Sequence, residues 1–208
     1  MVSAALVHRY RHLPIKYWKP IQTGIEQDDD SAEVQRLSGC RQGRVLEVLN
    51  EGIRLPRPVS PHLAAKLGGT FISIEPLISL AASTSGSGWI VEGAGGVLVP
   101  LNERHLLIDL IRGLGLPALV VSRSGLGTIN HTLLTIEALG RRHVPIAGVV
   151  MVGPPDDISR ENRLAIEQYG GVAVLGEMPI LNPLTEDRLR GWAETSLDAE
   201  GRLTDLLS

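Results

Sequence analysis

The sequence predicts an α/β fold in three layers, with an open, mostly parallel sheet flanked by helices. Three observations lead there. Apolar runs rich in Val or Ile recur along the chain, each bounded by Gly or Pro. Those runs are nearly continuous, not alternating, as in strands buried on both faces of a parallel sheet. Segments of helical periodicity separate them, and repeated strand–helix units imply right-handed parallel crossovers.

Each element has its own signal. Val2, Leu6, Tyr10 and Leu13 share one face of a first helix. "IKYWKP" (15–20) reads as a strand stopped by Pro20. "SAEVQRLSG" (31–39) is a helix with a glycine at its end, and "SPHLAAKLGG" (60–69) is a helix with Pro61 in its first turn, where a missing N–H does no harm. "SIEPLISLAAS" (73–83) is a further helix, followed by the strand "GWIVEG" (88–93). Helices are then expected at 104–115, 128–142 and 159–170. They alternate with strands at "LPALVVS" (116–122), "VPIAGVVMV" (144–152) and "GVAVLGEMP" (171–179). One domain spanning 1–208 accommodates them all.

Composition narrows the function classes. Hydrophobic residues make up 43% and charged residues 21%, as in ordinary globular proteins. A formal net charge of -3 carries no polybasic signature, so nucleic acid is not expected as a partner. No apolar run reaches the ~18 residues of a membrane span, and no signal peptide is expected in "MVSAALVHRYRHL". A single cysteine, Cys40, cannot make an intrachain disulfide or a thiolate metal site, which fits a cytoplasmic setting.

In open α/β sheets ligands sit at the carboxyl ends of the strands, so the loops after Lys19, Glu92, Ser122 and Val152 should border any site. Glu92 is the most informative residue. It closes an apolar strand, where desolvation is costly unless a cation or donor meets the carboxylate. The glycines of "VEGAGGVLVPL" after it allow a ligand to approach the backbone. A hard oxygen donor there suits Mg²⁺. Lys19, at another strand end, either neutralises phosphate oxygens or is a surface lysine. "QDDDSAE" (27–33) either binds metal or caps the helix that follows. "SGLGTINHTLL" (124–134) is a glycine-containing loop entering a helix, either an anion site or a structural turn. His131 and His62 read as ligand-facing groups or as packed or capping histidines.

Taken in order, "YWKPIQTG", "DDDSAEVQRL", "RPVSPHLAA", "VEGAGGVLVPL", "GLGTINHTLLT", "AGVVM" and "LGEMP" resemble the dethiobiotin synthetase family over nearly the whole chain. The resemblance implies a P-loop-type fold. It also implies an ATP- and Mg²⁺-dependent ligase that forms dethiobiotin from 7,8-diaminononanoate and CO₂ in biotin biosynthesis. By the same resemblance Lys19 contacts the carbamate and the γ-phosphate, and Thr23 touches the same region. Asp30 and Glu92 hold the metal beside ATP, and Gly93, Gly95 and Gly96 leave room for its phosphates. The backbone of Gly127, Thr128, Ile129 and Asn130 binds the substrate carboxylate across a homodimer interface. Glu177 and Pro179 line the adenine pocket.

Two departures shape the expectations. Family members carry a strand and a Gly-x-x-x-x-x-Gly-Lys-Thr loop before the first helix, and "MVSAALVHRY" resembles the helix directly after that threonine. The chain is therefore expected to be N-terminally truncated and impaired as it stands. At "GVVMVGP", Val152 and Gly153 stand where the family commonly has an Asn-Asp pair, which leaves base selectivity open. Two rival readings remain at this point: a partition-type ATPase, and a degenerate, non-catalytic binding or dimerisation subunit.

Overall fold

The computed structural model describes residues 1–40, 46–83 and 88–207. In chain order its elements are α1 (Val2–Arg9), β1 (Ile15–Trp18), β2 (Ile21–Thr23), α2 (Asp30–Ser38), β3 (Leu46–Leu49), β4 (Ile53–Leu55), α3 (Pro61–Leu67), α4 (Glu75–Ser83), β5 (Gly88–Val91), α5 (Leu107–Leu114), β6 (Ala118–Arg123), α6 (Thr128–Arg141), β7 (Ile146–Val152), α7 (Asp157–Gly170), β8 (Val174–Met178), α8 (Glu186–Ser196) and α9 (Thr204–Leu207).

Among the described residues the strands form parallel blocks in the orders β3-β1-β5, β2-β4 and β6-β7-β8. The predicted α/β class and the parallel pairing hold. Among the described residues β5 ends one of these blocks and β6 ends another. Helices pack against the strands. Val2, Leu6 and Val7 of α1 join Ile15 and Tyr17 of β1 and Trp192 of α8 in one core. Leu107 and Leu110 of α5 join Trp18, Ile21 and Leu77 in a second.

Some boundaries differ from the sequence expectation, each for a local reason. The strand expected over 15–20 ends at Trp18, and a separate strand, β2, follows at Ile21–Thr23. Pro20 offers no N–H, and its carbonyl instead accepts from Ile53 N at 2.9 Å, which turns the chain toward β4. The helix expected from 104 begins at Leu107, because the Asn102 side chain accepts from the backbone N–H groups of Arg104 and His105, both at 2.8 Å, and holds a turn there. The helix expected from 159 begins earlier, at Asp157. Asp156 caps it by accepting from Ser159 N at 2.7 Å. The short β2, β3 and β4 and the C-terminal α8 and α9 have no counterpart in the sequence reading.

One glycine joins the chain's end to the sheet. A Cβ on Gly88, at the start of β5, would lie 2.3 Å from the Leu207 carbonyl oxygen of α9. Neither backbone can yield without unseating the other. Gly88→Ala is expected to lower stability by about 1–3 kcal/mol, read as a lower midpoint of denaturant unfolding. An unchanged midpoint would show that α9 does not dock on β5.

Candidate active site

The site is set by strand register. β1 and β5 run parallel with Trp18 opposite Val91, and Glu92 N donates to the Trp18 carbonyl at 2.9 Å. The next residue on each strand is therefore Lys19 on one and Glu92 on the other, side by side at the carboxyl ends. Asp30, the first residue of α2, reaches the same point. Asp29 holds that helix start by accepting from Ser31 N at 2.9 Å and Ala32 N at 3.2 Å.

Lys19 is only 6% exposed, so its ammonium must be paired. Its Nζ lies 2.6 Å from Asp30 Oδ2 and 3.0 Å from Glu92 Oε1, and it donates to the Gly93 carbonyl at 3.0 Å. One cation thus sits between two carboxylates. Two residues not foreseen in the sequence complete the shell of Glu92. Ser3 of α1 donates a short hydrogen bond to Oε2, and the Tyr17 hydroxyl donates to the same oxygen at 3.2 Å. Burial pushes the Glu92 carboxyl up. The charge of Lys19 and the hydrogen bonds from Ser3 and Lys19 outweigh it and hold the group below the usual carboxylate range. Tyr17 is driven far upward, by burial first and then by the charges of Glu92 and Asp30, so it stays a neutral donor.

Lys19 and Asp30 open onto a cavity of ≈ 300 Å³ lined also by Gln22, Thr23, Ser60 and Gly95 among others. Gln22 is 4% exposed and acts as a clasp. Its Nε2 donates to the Thr23 carbonyl at 3.0 Å and the Asp28 carbonyl at 3.2 Å, closing the loop between Thr23 and Asp30. The glycine turn after Glu92 forms one side. Gly95 takes φ +83°, and a Cβ at Gly96 would meet open space. Among the described residues no group of three or more His, Cys, Asp or Glu side chains is gathered as a metal site. The donor set for a cation is Asp30 and Glu92, two hard oxygen donors already drawn together around an ammonium. That set fits Mg²⁺, which takes one or two carboxylates and completes its shell with phosphate and water.

The other expected residues lie at different strand ends. Gly127, at φ +89°, precedes α6, whose first turn holds Thr128, Ile129 and Asn130. The Thr128 hydroxyl donates to the Arg123 carbonyl, and Leu126 at the tip of this turn is fully exposed. Glu177 is on β8, where its carboxylate accepts from Arg163 at 3.2 Å and Ser159 at 3.3 Å. Pro179 follows that strand. Gly153, after β7, leaves space that Ser124 fills, since a Cβ there would lie 1.9 Å from Ser124 Oγ. His131 and His62 are exposed and outside the lining of the cavity.

A parallel α/β fold with a lysine and a glutamate at adjoining strand ends, met by an aspartate from a helix start, is the layout of a nucleotide-dependent enzyme class. In keeping with it, residues 1–188 match the family model described as an AAA domain. The chain is 46% identical over 191 residues to the ATP-dependent dethiobiotin synthetase BioD of Paramagnetospirillum magneticum, covering 92% of this chain and 86% of that protein. It is 43% identical over 187 residues to the enzyme of the same name from Agrobacterium fabrum, covering 90% and 82%. The biotin biosynthesis bifunctional protein BioCD of Bordetella avium matches at 42% identity over 93% of this chain and 39% of its own length. The chain belongs to the dethiobiotin synthetase family.

Proposed function

We propose that this protein closes the ureido ring of dethiobiotin from 7,8-diaminononanoate, CO₂ and ATP. The observation that carries this reading is the Lys19 ammonium between Asp30 and Glu92, beside the cavity that Lys19 and Asp30 line. A nitrogen lone pair of the diamine attacks CO₂, forming a C–N bond and, after loss of a proton, a carbamate. The carbamate oxygen attacks the γ-phosphorus of ATP, and ADP leaves. The second amine then attacks the carbonyl carbon of the mixed anhydride, phosphate leaves, and the ring is closed. Each intermediate is anionic, so the work of the site is positioning and charge neutralisation.

Lys19 donates to the carbamate and to the transferring phosphoryl oxygens, and Thr23 donates from the adjoining wall of the cavity. Asp30 and Glu92 would hold Mg²⁺, which supplies charge neutralisation to the nucleotide phosphates. Gly95 and Gly96 keep side chains out of the space those phosphates need, whereas a side chain at Gly93 would meet Leu107. The first-turn N–H groups from Gly127 to Asn130 bind the substrate carboxylate of a partner subunit in a homodimer. Support for this comes from a helix start that no side chain caps and from the exposed Leu126 beside it. Glu177 and Pro179 border the adenine. With Val152 and Gly153 at the end of β7, selectivity for the base rests on shape and not on a side-chain amide at those two positions.

The test is a product assay with ¹³C-bicarbonate, 7,8-diaminononanoate, ATP and Mg²⁺. Labelled dethiobiotin should appear in step with ADP, and ADP formation should require the diamine. ADP released at the same rate without the diamine would instead indicate an ATPase of another kind.

A further inference from the structure

Lys19 makes its contacts with the very carboxylates assigned above to the metal. Its Nζ is 2.6 Å from Asp30 Oδ2 and 3.0 Å from Glu92 Oε1, and the side chain is buried. Two carboxylates this close to one another are costly without a cation between them. An ammonium and a divalent ion cannot both occupy the space between the same two oxygens without strong repulsion. We propose that Lys19 is a placeholder: in the ligand-free protein its ammonium occupies the cation site, and metal binding to Asp30 and Glu92 displaces it toward the cavity. There it meets the carbamate.

This inference rests on the proposed function and adds an order to it. Before the metal arrives, the lysine is committed to the protein's own carboxylates. Afterwards its three N–H donors face substrate, together with Thr23, on the cavity wall that both residues line. Linkage makes the effect reciprocal, so an anion that draws Lys19 into the cavity strengthens metal binding to the carboxylates by the same factor. The remaining oxygen of Glu92 keeps its donors, Ser3 and Tyr17, throughout. Those contacts hold the carboxylate in place while its cation is exchanged.

The arrangement predicts an outcome opposite to that of an ordinary ligand-supporting lysine. Mn²⁺, which takes the same oxygen donors as Mg²⁺, can be titrated without nucleotide and the free ion counted by electron paramagnetic resonance. Lys19→Met should bind Mn²⁺ about tenfold or more tighter than wild type, because no ammonium competes. Glu92→Gln should bind it more weakly. Affinity of Lys19→Met within twofold of wild type, or weaker, would overturn the placeholder and leave the metal assignment standing if Glu92→Gln is weakened. Unchanged affinity in Glu92→Gln would overturn both.

A second measurement uses the wild-type chain and covers the case in which Lys19→Met fails to fold. The chain has three lysines, Lys16, Lys19 and Lys66. Brief treatment with acetic anhydride and peptide mass spectrometry reports each one. Saturating Mg²⁺ should raise acetylation of Lys19 severalfold and leave the exposed Lys66 unchanged. Lys19 acetylation that stays constant or falls with Mg²⁺ would contradict the displacement.

Discussion

Substituting Glu92 by Gln is expected to lower the rate of ring closure by about 10²–10³-fold, the scale of losing one fixed electrostatic partner of a transition state. The fold should survive. Glutamine has the same shape, and its carbonyl oxygen can still accept from Lys19 at the position where Glu92 Oε1 does so at 3.0 Å. The Ser3 and Tyr17 hydroxyls, which donate to the other oxygen, can rotate to accept from the new amide. Lys19 also retains Asp30 as a counter-charge. Circular dichroism and thermal melting close to wild type, with turnover lost, is the expected pair of results. Turnover at the wild-type level would remove Glu92 from the catalytic machinery.

Lys19→Met is expected to be the more damaging change, with turnover lower by about 10³-fold or more, in the range of removing a cation that stabilises phosphoryl transfer. Here the loss of turnover comes from the missing donor to substrate and not from weaker metal binding. The variant removes the donor proposed for the carbamate, so the loss should persist at saturating Mg²⁺ and ATP. A variant restored to wild-type turnover by raising Mg²⁺ alone would show that Lys19 acts only on the metal site.

How much of this was readable beforehand depends on the distance over which each feature is encoded. Lys19 and Glu92 were legible because each closes an apolar run, and a charge in that place calls for a partner. That they are partners of one another was not. The pairing follows from the β1–β5 register, which brings together residues 73 apart in the chain. Asp30 stood in a run of three aspartates. The fold separates their roles: Asp29 caps α2 with its side chain, while Asp30 turns to Lys19.

Ser3 and Tyr17 carried no signal. A serine in a helix and a tyrosine in an apolar strand become donors to Glu92 only when α1 is laid against the end of β5. Gln22 was hidden in the same way, since its amide clasps a loop whose shape exists only after folding. The strands β3 and β4 were missed because a four-residue and a three-residue run give no periodicity to read. In contrast, the long runs that became β6, β7 and β8 were legible from composition alone, and β7 and β8 are largely buried as strands inside a helix-covered sheet are, while Val121 of β6 is exposed.

The most direct test of the central claim, that the Lys19–Asp30–Glu92 cavity is where the substrate is activated, is a ¹³C NMR titration without nucleotide. Protein, saturating Mg²⁺, 7,8-diaminononanoate and ¹³CO₂ are combined, so that Lys19 is released from its carboxylates, and the carbamate carbon is observed in wild type and in Lys19→Met. A bound carbamate resonance in wild type that vanishes in Lys19→Met is the predicted result. A carbamate signal of equal intensity in both proteins would place substrate activation elsewhere in the molecule and contradict the account.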